Sequence, residues 1–230
     1  REKGIDGLVV IGGDGSFRGA AALSAKGFPT VGIPGTIDND LAYTDFTLGF
    51  HTACNTCLEA IDRIRDTSSS HDRITIVEVM GRHCGDIALY SGISGGAELI
   101  ILPEVPLTFS EIKKALIEAS QKGKTSGIAV LAEGVCGAEE LMRFLQRETN
   151  LSIRATVLGY QQRGGSPSMY DRMLGTQFGY HAVGLLKKDI GNRVIGICKE
   201  KIIDLDINEA LAMPRKFRKD LYRMAGVVSQ

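Results

Sequence analysis

Residues 7–16 read GLVVIGGDGS, an unbroken apolar run from Leu8 to Ile11 that empties into three glycines set around Asp14. A short continuous run rich in β-branched residues predicts a strand buried on both faces, the kind found in parallel sheets. The glycines permit tight turns and let backbone approach a ligand with no side chain between. The same grammar recurs along the chain. Apolar runs at Pro29–Pro34, Arg73–Val79, Ala97–Glu104, Gly127–Gly134, Ile153–Gly159 and Arg193–Cys198 predict further strands. Between Thr47 and Asp66, Phe50, Cys54, Cys57, Leu58, Ile61 and Ile64 recur at helical spacing, with Thr47 as the expected N-cap. Thr108 and Glu111 form a capping box that opens a helix closing at Gly123, and helices are expected at 138–149 and 170–188. Residues 67–71, TSSSH, read as a short polar loop. Strands alternating with helices predict an α/β chain with helix-covered parallel sheets.

Ligands of such sheets gather at the carboxyl ends of the strands. Asp14, Asp38, Arg82, Glu133 and Arg163 each follow a predicted strand. Five such residues are expected on one sheet edge, where three carboxylates and two arginines suit a charged ligand. PGTIDND, residues 34–40, carries Asp38 and Asp40 around Asn39 and is equally compatible with a polar turn.

The bulk numbers fit an ordinary soluble protein, with 43% hydrophobic and 23% charged residues, and exclude a disordered chain. Twenty-eight glycines in 230 residues exceed the usual share of about 7%. Lys plus Arg equals Asp plus Glu at 27 each, so no global field draws nucleic acid or a membrane, and an anion must be held by a local cluster. Five scattered cysteines (54, 57, 84, 136, 198) predict reduced thiols in a cytoplasmic protein. Cys54 and Cys57 lie in a helical pattern with no second pair, which argues against zinc. No signal peptide and no apolar run of membrane-spanning length occurs. The chain starts at Arg1 directly ahead of a strand and reads as a fragment.

IGGDGS is neither a Walker loop nor a dinucleotide fingerprint. Its glycines suit phosphate, and the Asp14 carboxylate suits Mg²⁺. Arg73, Arg82, Arg154 and Arg163 flank strands or glycine loops, and guanidinium forks are preferred phosphate partners. Such parts suit phosphoryl transfer, in which Mg²⁺ and arginine neutralise charge and a carboxylate off the metal takes the hydroxyl proton.

GGDGS, PGTIDND, MGRHCGD, AEG and RATVLGYQQRGGSPSMYDR follow in an order and spacing that resemble the bacterial ATP-dependent 6-phosphofructokinase family, across essentially all 230 residues. The resemblance implies transfer of the ATP γ-phosphate to the 1-hydroxyl of fructose 6-phosphate in glycolysis, with Mg²⁺. It implies two Rossmann-like three-layer α/β/α halves with mainly parallel sheets, the first incomplete. Residues 1–49 and 162–212 would form the nucleotide half, and 50–161 with 213–230 the sugar-phosphate half. Asp38 would be the general base, with Thr36 and Arg82 beside it in catalysis and Ile37 in the same substrate loop. Gly13, Asp14, Gly15 and Ser16 would bind the nucleotide, Asp14 through the metal. Met80, Gly81, Arg82, Glu133, Tyr160 and Arg163 would hold the sugar phosphate. Arg73 and Arg154 would reach a neighbouring subunit's site in a homotetramer. Arg65, Gly96, Glu98, Lys122 and Lys124 match an effector site for ADP or phosphoenolpyruvate.

Departures accompany the match. Thr125 and Ser126 replace a usual basic pair, and Tyr160 replaces a usual histidine, so it can donate a hydrogen bond but carries no charge. Some ninety leading residues of the family are missing, so the isolated piece is expected to be inactive. Gly15 and Gly35 stand where pyrophosphate-dependent relatives carry Asp and Lys, which favours ATP. The alternatives are a pyrophosphate-dependent enzyme and a non-catalytic sugar-phosphate-binding homologue. Retention of Asp38 and Arg163 speaks against the second.

Overall fold

A computed structural model describes residues 4–121 and 126–228. Its elements run β1 (Leu8–Gly12), α1 (Asp14–Ser24), β2 (Thr30–Pro34), α2 (Phe50–Ser69), β3 (Ile74–Val79), α3 (Asp86–Ser94), β4 (Leu99–Ile101) and α4 (Phe109–Gln121). They continue with β5 (Gly127–Ala132), α5 (Ala138–Glu148), β6 (Ile153–Val157), a 3₁₀ turn (Gly159–Gln162), α6 (Met169–Leu186), β7 (Arg193–Cys198), β8 (Lys201–Asp206), α7 (Ile207–Ala212) and α8 (Lys219–Val228). Two compact units result. The first holds Arg1–His51 and Ser166–Lys216, the second Thr52–Gly165 and Phe217–Gln230.

The first unit is built on a sheet ordered β1-β2-β7-β8. β1, β2 and β7 are parallel, and β8 returns antiparallel to β7. Successive side chains of a strand face opposite ways, which makes three layers. Val31, Ile33, Ile195 and Ile197 pack against Leu174, Phe178, Ala182 and Leu185 of α6. Val194 on the opposite face packs with Phe17 and Ala20 of α1 and with Ile207 and Ala210 of α7. Gly32 is required there, because a Cβ would lie 2.7 Å from the Phe17 ring.

The second unit has a wholly parallel sheet ordered β4-β5-β3-β6. Ile74, Ile76, Ile101, Ala129, Leu131 and Ile153 on one face pack against Ile112 and Leu116 of α4 and Ala138, Leu141 and Leu145 of α5. Ile100, pointing the other way from β4, leaves room only for a glycine at Gly92 of α3, where a Cβ would meet its side chain at 2.8 Å. No helix among the described residues is long and apolar enough to cross a membrane.

Several expectations are corrected. The five polar strand ends do not share one sheet edge: Asp14 and Asp38 follow strands of the first sheet, Arg82, Glu133 and Arg163 strands of the second. Thr47 does not cap α2, which begins three residues later. Its buried hydroxyl instead donates to the Thr36 carbonyl at 2.6 Å. α2 runs on through Ser69, into the stretch read as a polar loop, because Ser68 is buried and its hydroxyl meets Thr75 at 2.7 Å. The strand expected at 97–104 pairs over Leu99–Ile101 alone. The capping box is present: Thr108 N and Oγ1 both donate to Glu111 Oε2 at 2.7 Å, and Glu111 N donates back to Thr108 Oγ1 at 3.2 Å.

Candidate active site

In the first unit the buried strand β1 ends at Gly12, and the chain turns into α1 with Gly13 as N-cap. Gly13 offers no side chain to cap this helix. The amino terminus of an 11-residue helix carries a partial positive charge, an arrangement that favours anions. Asp14 stands in the first turn and pairs with Arg18 at 3.5 Å, an (i, i+4) contact with an arginine absent from the sequence reading. Gly12 has no room for a side chain, because a Cβ would run into Ser16. Gly13 and Gly15 differ: a Cβ at Gly15 meets nothing within 4 Å, and one at Gly13 meets only Thr36 at 3.9 Å. Packing does not demand glycine at position 15.

β2 pairs beside β1 in register, Gly12 with Pro34, so the loop Gly35–Leu48 leaves the same sheet edge as Asp14. Gly35 N donates to Gly12 O at 3.0 Å, and a Cβ at Gly35 would lie 2.7 Å from Ile11. Glycine is thus needed at 35 to keep the two strand ends in contact. Beyond it the loop is fixed by its own side chains. Thr36 Oγ1 accepts from Asp38 N at 3.2 Å. Asn39, buried and left-handed at φ +52°, donates from Nδ2 to Asp45 O at 3.2 Å and accepts from Thr47 N at 3.0 Å. Asp45 in turn donates its amide to Ile197 O at 2.7 Å, anchoring the loop to β7. Asp38 and Asp40 are half-buried on this frame. The frame depends on Asn39 and Thr47, neither of which was expected in the site.

In the second unit the loop after β3 carries Met80, Gly81 at φ +142° and Arg82 at φ +58°. A non-glycine residue in the left-handed region needs outside support. Glu133, at the end of the adjacent β5, supplies it: its Oε1 accepts from Gly81 N at 3.1 Å and Arg82 N at 2.7 Å. Gly134 is required beside it, because a Cβ there would run into the Arg82 carbonyl. Following β6, Tyr160 is 76% exposed, and the Arg163 guanidinium carbon lies 4.9 Å from its ring centroid. This is a cation–π pair, so the residue in the usual histidine position engages the neighbouring arginine through its face.

Arg73 and Arg154 do not join this group. Arg73 precedes β3, and Arg154 pairs with Thr75 near the start of the same strand, so both sit toward the amino-terminal edge of the sheet. Arg65, Gly96 and Glu98 do come together. Arg65 Nη1 meets Glu98 at 3.3 Å, while Nη2 donates to Gly95 O at 2.6 Å and Gly96 O at 2.7 Å. Lys122 and Lys124, with Thr125, lie outside the described residues.

All five cysteines are free, and Cys54 and Cys57 lie within α2. Burial pushes the Cys57 thiol up to about 12, which keeps it protonated and unreactive at neutral pH. Cys84, Asp86 and Glu104 have ligand atoms within 4.8 Å of one another. There Glu104 Oε1 accepts from Gly85 N at 2.9 Å and Cys84 Sγ from Asp86 N at 3.5 Å, at the start of α3.

Comparison with known proteins places this geometry among relatives. A family profile described as "Phosphofructokinase" matches residues 1–186. The chain is 56% identical over 230 residues to an "ATP-dependent 6-phosphofructokinase" of Clostridium acetobutylicum, covering 100% of this chain and 72% of the relative. It is 58% identical over 225 residues to one of Clostridioides difficile, covering 98% of this chain and 70% of the relative. Among solved structures, phosphofructokinase from Saccharomyces cerevisiae matches with a TM-score of 0.83 and 33% identity, over 99% of this chain and 34% of that one. A pyrophosphate-dependent phosphofructokinase from Marinobacter aquaeolei shares the fold at a TM-score of 0.82 and 23% identity, over 96% of this chain and 63% of that one.

Proposed function

Because the chain belongs to the phosphofructokinase family, we infer that it transfers the γ-phosphoryl group of ATP to fructose 6-phosphate, giving fructose 1,6-bisphosphate in glycolysis. The observation that carries this reading is the parallel pairing of β1 with β2, which brings the Asp14 helix start and the Thr36–Asp38 loop to one sheet edge. One serves a phosphate donor and the other an attacking hydroxyl.

Gly13, Gly15 and Ser16 bind the ATP phosphates at the α1 N-terminus, with open space in front of Gly15 to receive them. Asp14 fits Mg²⁺, which commonly takes one or two carboxylates together with substrate phosphate oxygens. Its carboxylate stands in the first helical turn, half-exposed, with Arg18 at 3.5 Å. Bound there, the ion neutralises charge on the phosphates. Asp38 is the general base for the sugar 1-hydroxyl, oriented by Thr36 through its backbone amide, and Ile37 lies in the same loop. Met80, Gly81, Arg82, Glu133, Tyr160 and Arg163 form the sugar-phosphate contacts, Arg82 and Arg163 supplying the charge. Glu133 spends one oxygen on its neighbours' amides and keeps the other for the sugar. The first unit is the nucleotide half and the second the sugar-phosphate half.

The placement of Arg73 and Arg154 toward the opposite sheet edge from Arg82 supports their serving a neighbouring subunit of a homotetramer. Arg65, Gly96 and Glu98 form part of an effector site for ADP or phosphoenolpyruvate, completed by Lys122 and Lys124. Five free thiols support a cytoplasmic location.

The test is product formation by the full-length protein from fructose 6-phosphate, with ATP or pyrophosphate as donor. ATP is expected to support turnover and pyrophosphate to fail. Turnover with pyrophosphate alone would assign the protein to the pyrophosphate-dependent enzymes. Binding of fructose 6-phosphate without turnover would favour a regulatory homologue.

A further inference from the structure

Gln162 is only 1% exposed, and both polar atoms of its side-chain amide are hydrogen-bonded. Oε1 accepts from Met80 N at 2.9 Å and from Cys57 Sγ at 3.2 Å, and Nε2 donates to Gly159 O at 3.0 Å. Only one orientation of the amide satisfies this set, because Met80 N must find an oxygen and Gly159 O must find an N–H. The three bonds join helix α2, the loop that ends β3 and the turn that follows β6.

Those two loops carry Met80–Arg82 and Tyr160–Arg163. Three successive amides of the first loop, at residues 80, 81 and 82, are all held by side chains from other strand ends, the first by Gln162 and the next two by Glu133. The backbone needs that support, since Gly81 and Arg82 both have positive φ. The Gln162 side chain is bonded to both loops. Its amide also closes the turn that carries Tyr160 at Gly159, itself at φ +53°.

We propose that Gln162 is a positioning residue for the phosphoryl acceptor: its buried amide fixes the Met80–Arg82 loop against the Tyr160–Arg163 turn and so sets the spacing of Arg82 and Arg163 for the phosphate of the sugar. It acts through those arginines and touches no substrate itself. The inference rests on the assignment of these loops to fructose 6-phosphate. A misplaced pair of guanidiniums weakens acceptor binding and leaves the donor side unaltered.

The test is steady-state kinetics of the full-length protein as wild type, Gln162→Leu and Gln162→Glu. Leucine removes all three bonds and leaves the buried Met80 amide without its acceptor and the part-buried Gly159 carbonyl without this donor, a loss sufficient for a rise of about tenfold or more in KM for fructose 6-phosphate. KM for ATP is expected to stay within about twofold, on the independence of sites without shared partners. Glutamate keeps an acceptor for Met80 N but turns a second acceptor on Gly159 O. Protonation supplies the missing donor, so its KM defect is expected to shrink as pH falls, a recovery the leucine variant lacks. An unchanged KM for the sugar phosphate in a folded Gln162→Leu protein would overturn the proposal. So would KM values for both substrates rising together. If the leucine variant does not fold, the glutamate variant decides, and a pH-independent KM there counts against the proposal. Wild-type turnover is measured first: its absence would overturn the acceptor assignment and this inference together.

Discussion

At Asn39 the chain enters the left-handed region, φ +52°, inside a loop that carries two carboxylates. Asparagine tolerates that conformation better than most residues, and its short amide bonds locally. Here it spans the loop, from Asp45 O to Thr47 N. Replacing Asn39 by Ala loses the amide and strains the backbone. Replacing it by Gly loses the amide alone. Thermal unfolding is therefore expected to rank wild type above Gly and Gly above Ala, with the bonds worth about 1–3 kcal/mol. Equal destabilisation by both changes would remove strain from the account. The sequence made the loop visible and its acids suspect, yet turn composition alone could not say which polar residue holds it and which faces a substrate. Gly15 and Gly35 show the same limit. Both looked like marks of donor choice, but Gly35 is also needed for contact with Ile11, whereas Gly15 faces open space. Only position 15 therefore tests donor choice without a packing penalty.

At the scale of elements, legibility followed amphipathicity. The start and body of α4 were readable because a capping box opens it and one face is apolar; its expected end at Gly123 lies outside the described residues. α3 was not, because Ile87, Ala88, Leu89, Ser91 and Gly92 are all buried and no polar face marks a period. β8 escaped because it follows a tight antiparallel return from β7, outside the alternation of strands and helices on which the reading rested. That hairpin is tied to α6 by a charged cluster. Asp204 accepts from His181 at 2.8 Å and from Arg193 Nε at 2.7 Å. Burial would raise its pKa, but the bonds from His181 and Arg193 outweigh it and hold the carboxyl below its ordinary 3.8. A depressed carboxyl stabilises the fold above the unfolded value and loses that stabilisation as pH falls through the folded one. Asp204→Asn is accordingly expected to lower Tm at pH 7, with the gap to wild type narrowing toward pH 3. A gap that stays constant would remove the ionised carboxylate from the explanation.

At the scale of the molecule, the class of fold was plain from the alternation of buried strands and helices. The expectation of one shared sheet edge was not met: linear order cannot show that strands at 8–34 and 193–206 join one sheet while those at 74–157 build another. The division matters for the proposed chemistry, because Asp14 and Asp38, proposed for the donor and the base, belong to the first unit, and Arg82 and Arg163, proposed for the acceptor, to the second. Family membership points to the reaction, and the proposed base, Asp38, lies on the held loop at Thr36–Thr47. The most direct measurement is kcat of the full-length protein with ATP and fructose 6-phosphate, for wild type and Asp38→Ala, under saturating substrates. Loss of a positioned base lowers kcat by about 10²–10⁴-fold, and that is the result the account predicts, with KM for ATP little changed. A folded Asp38→Ala enzyme turning over at near the wild-type rate would contradict it.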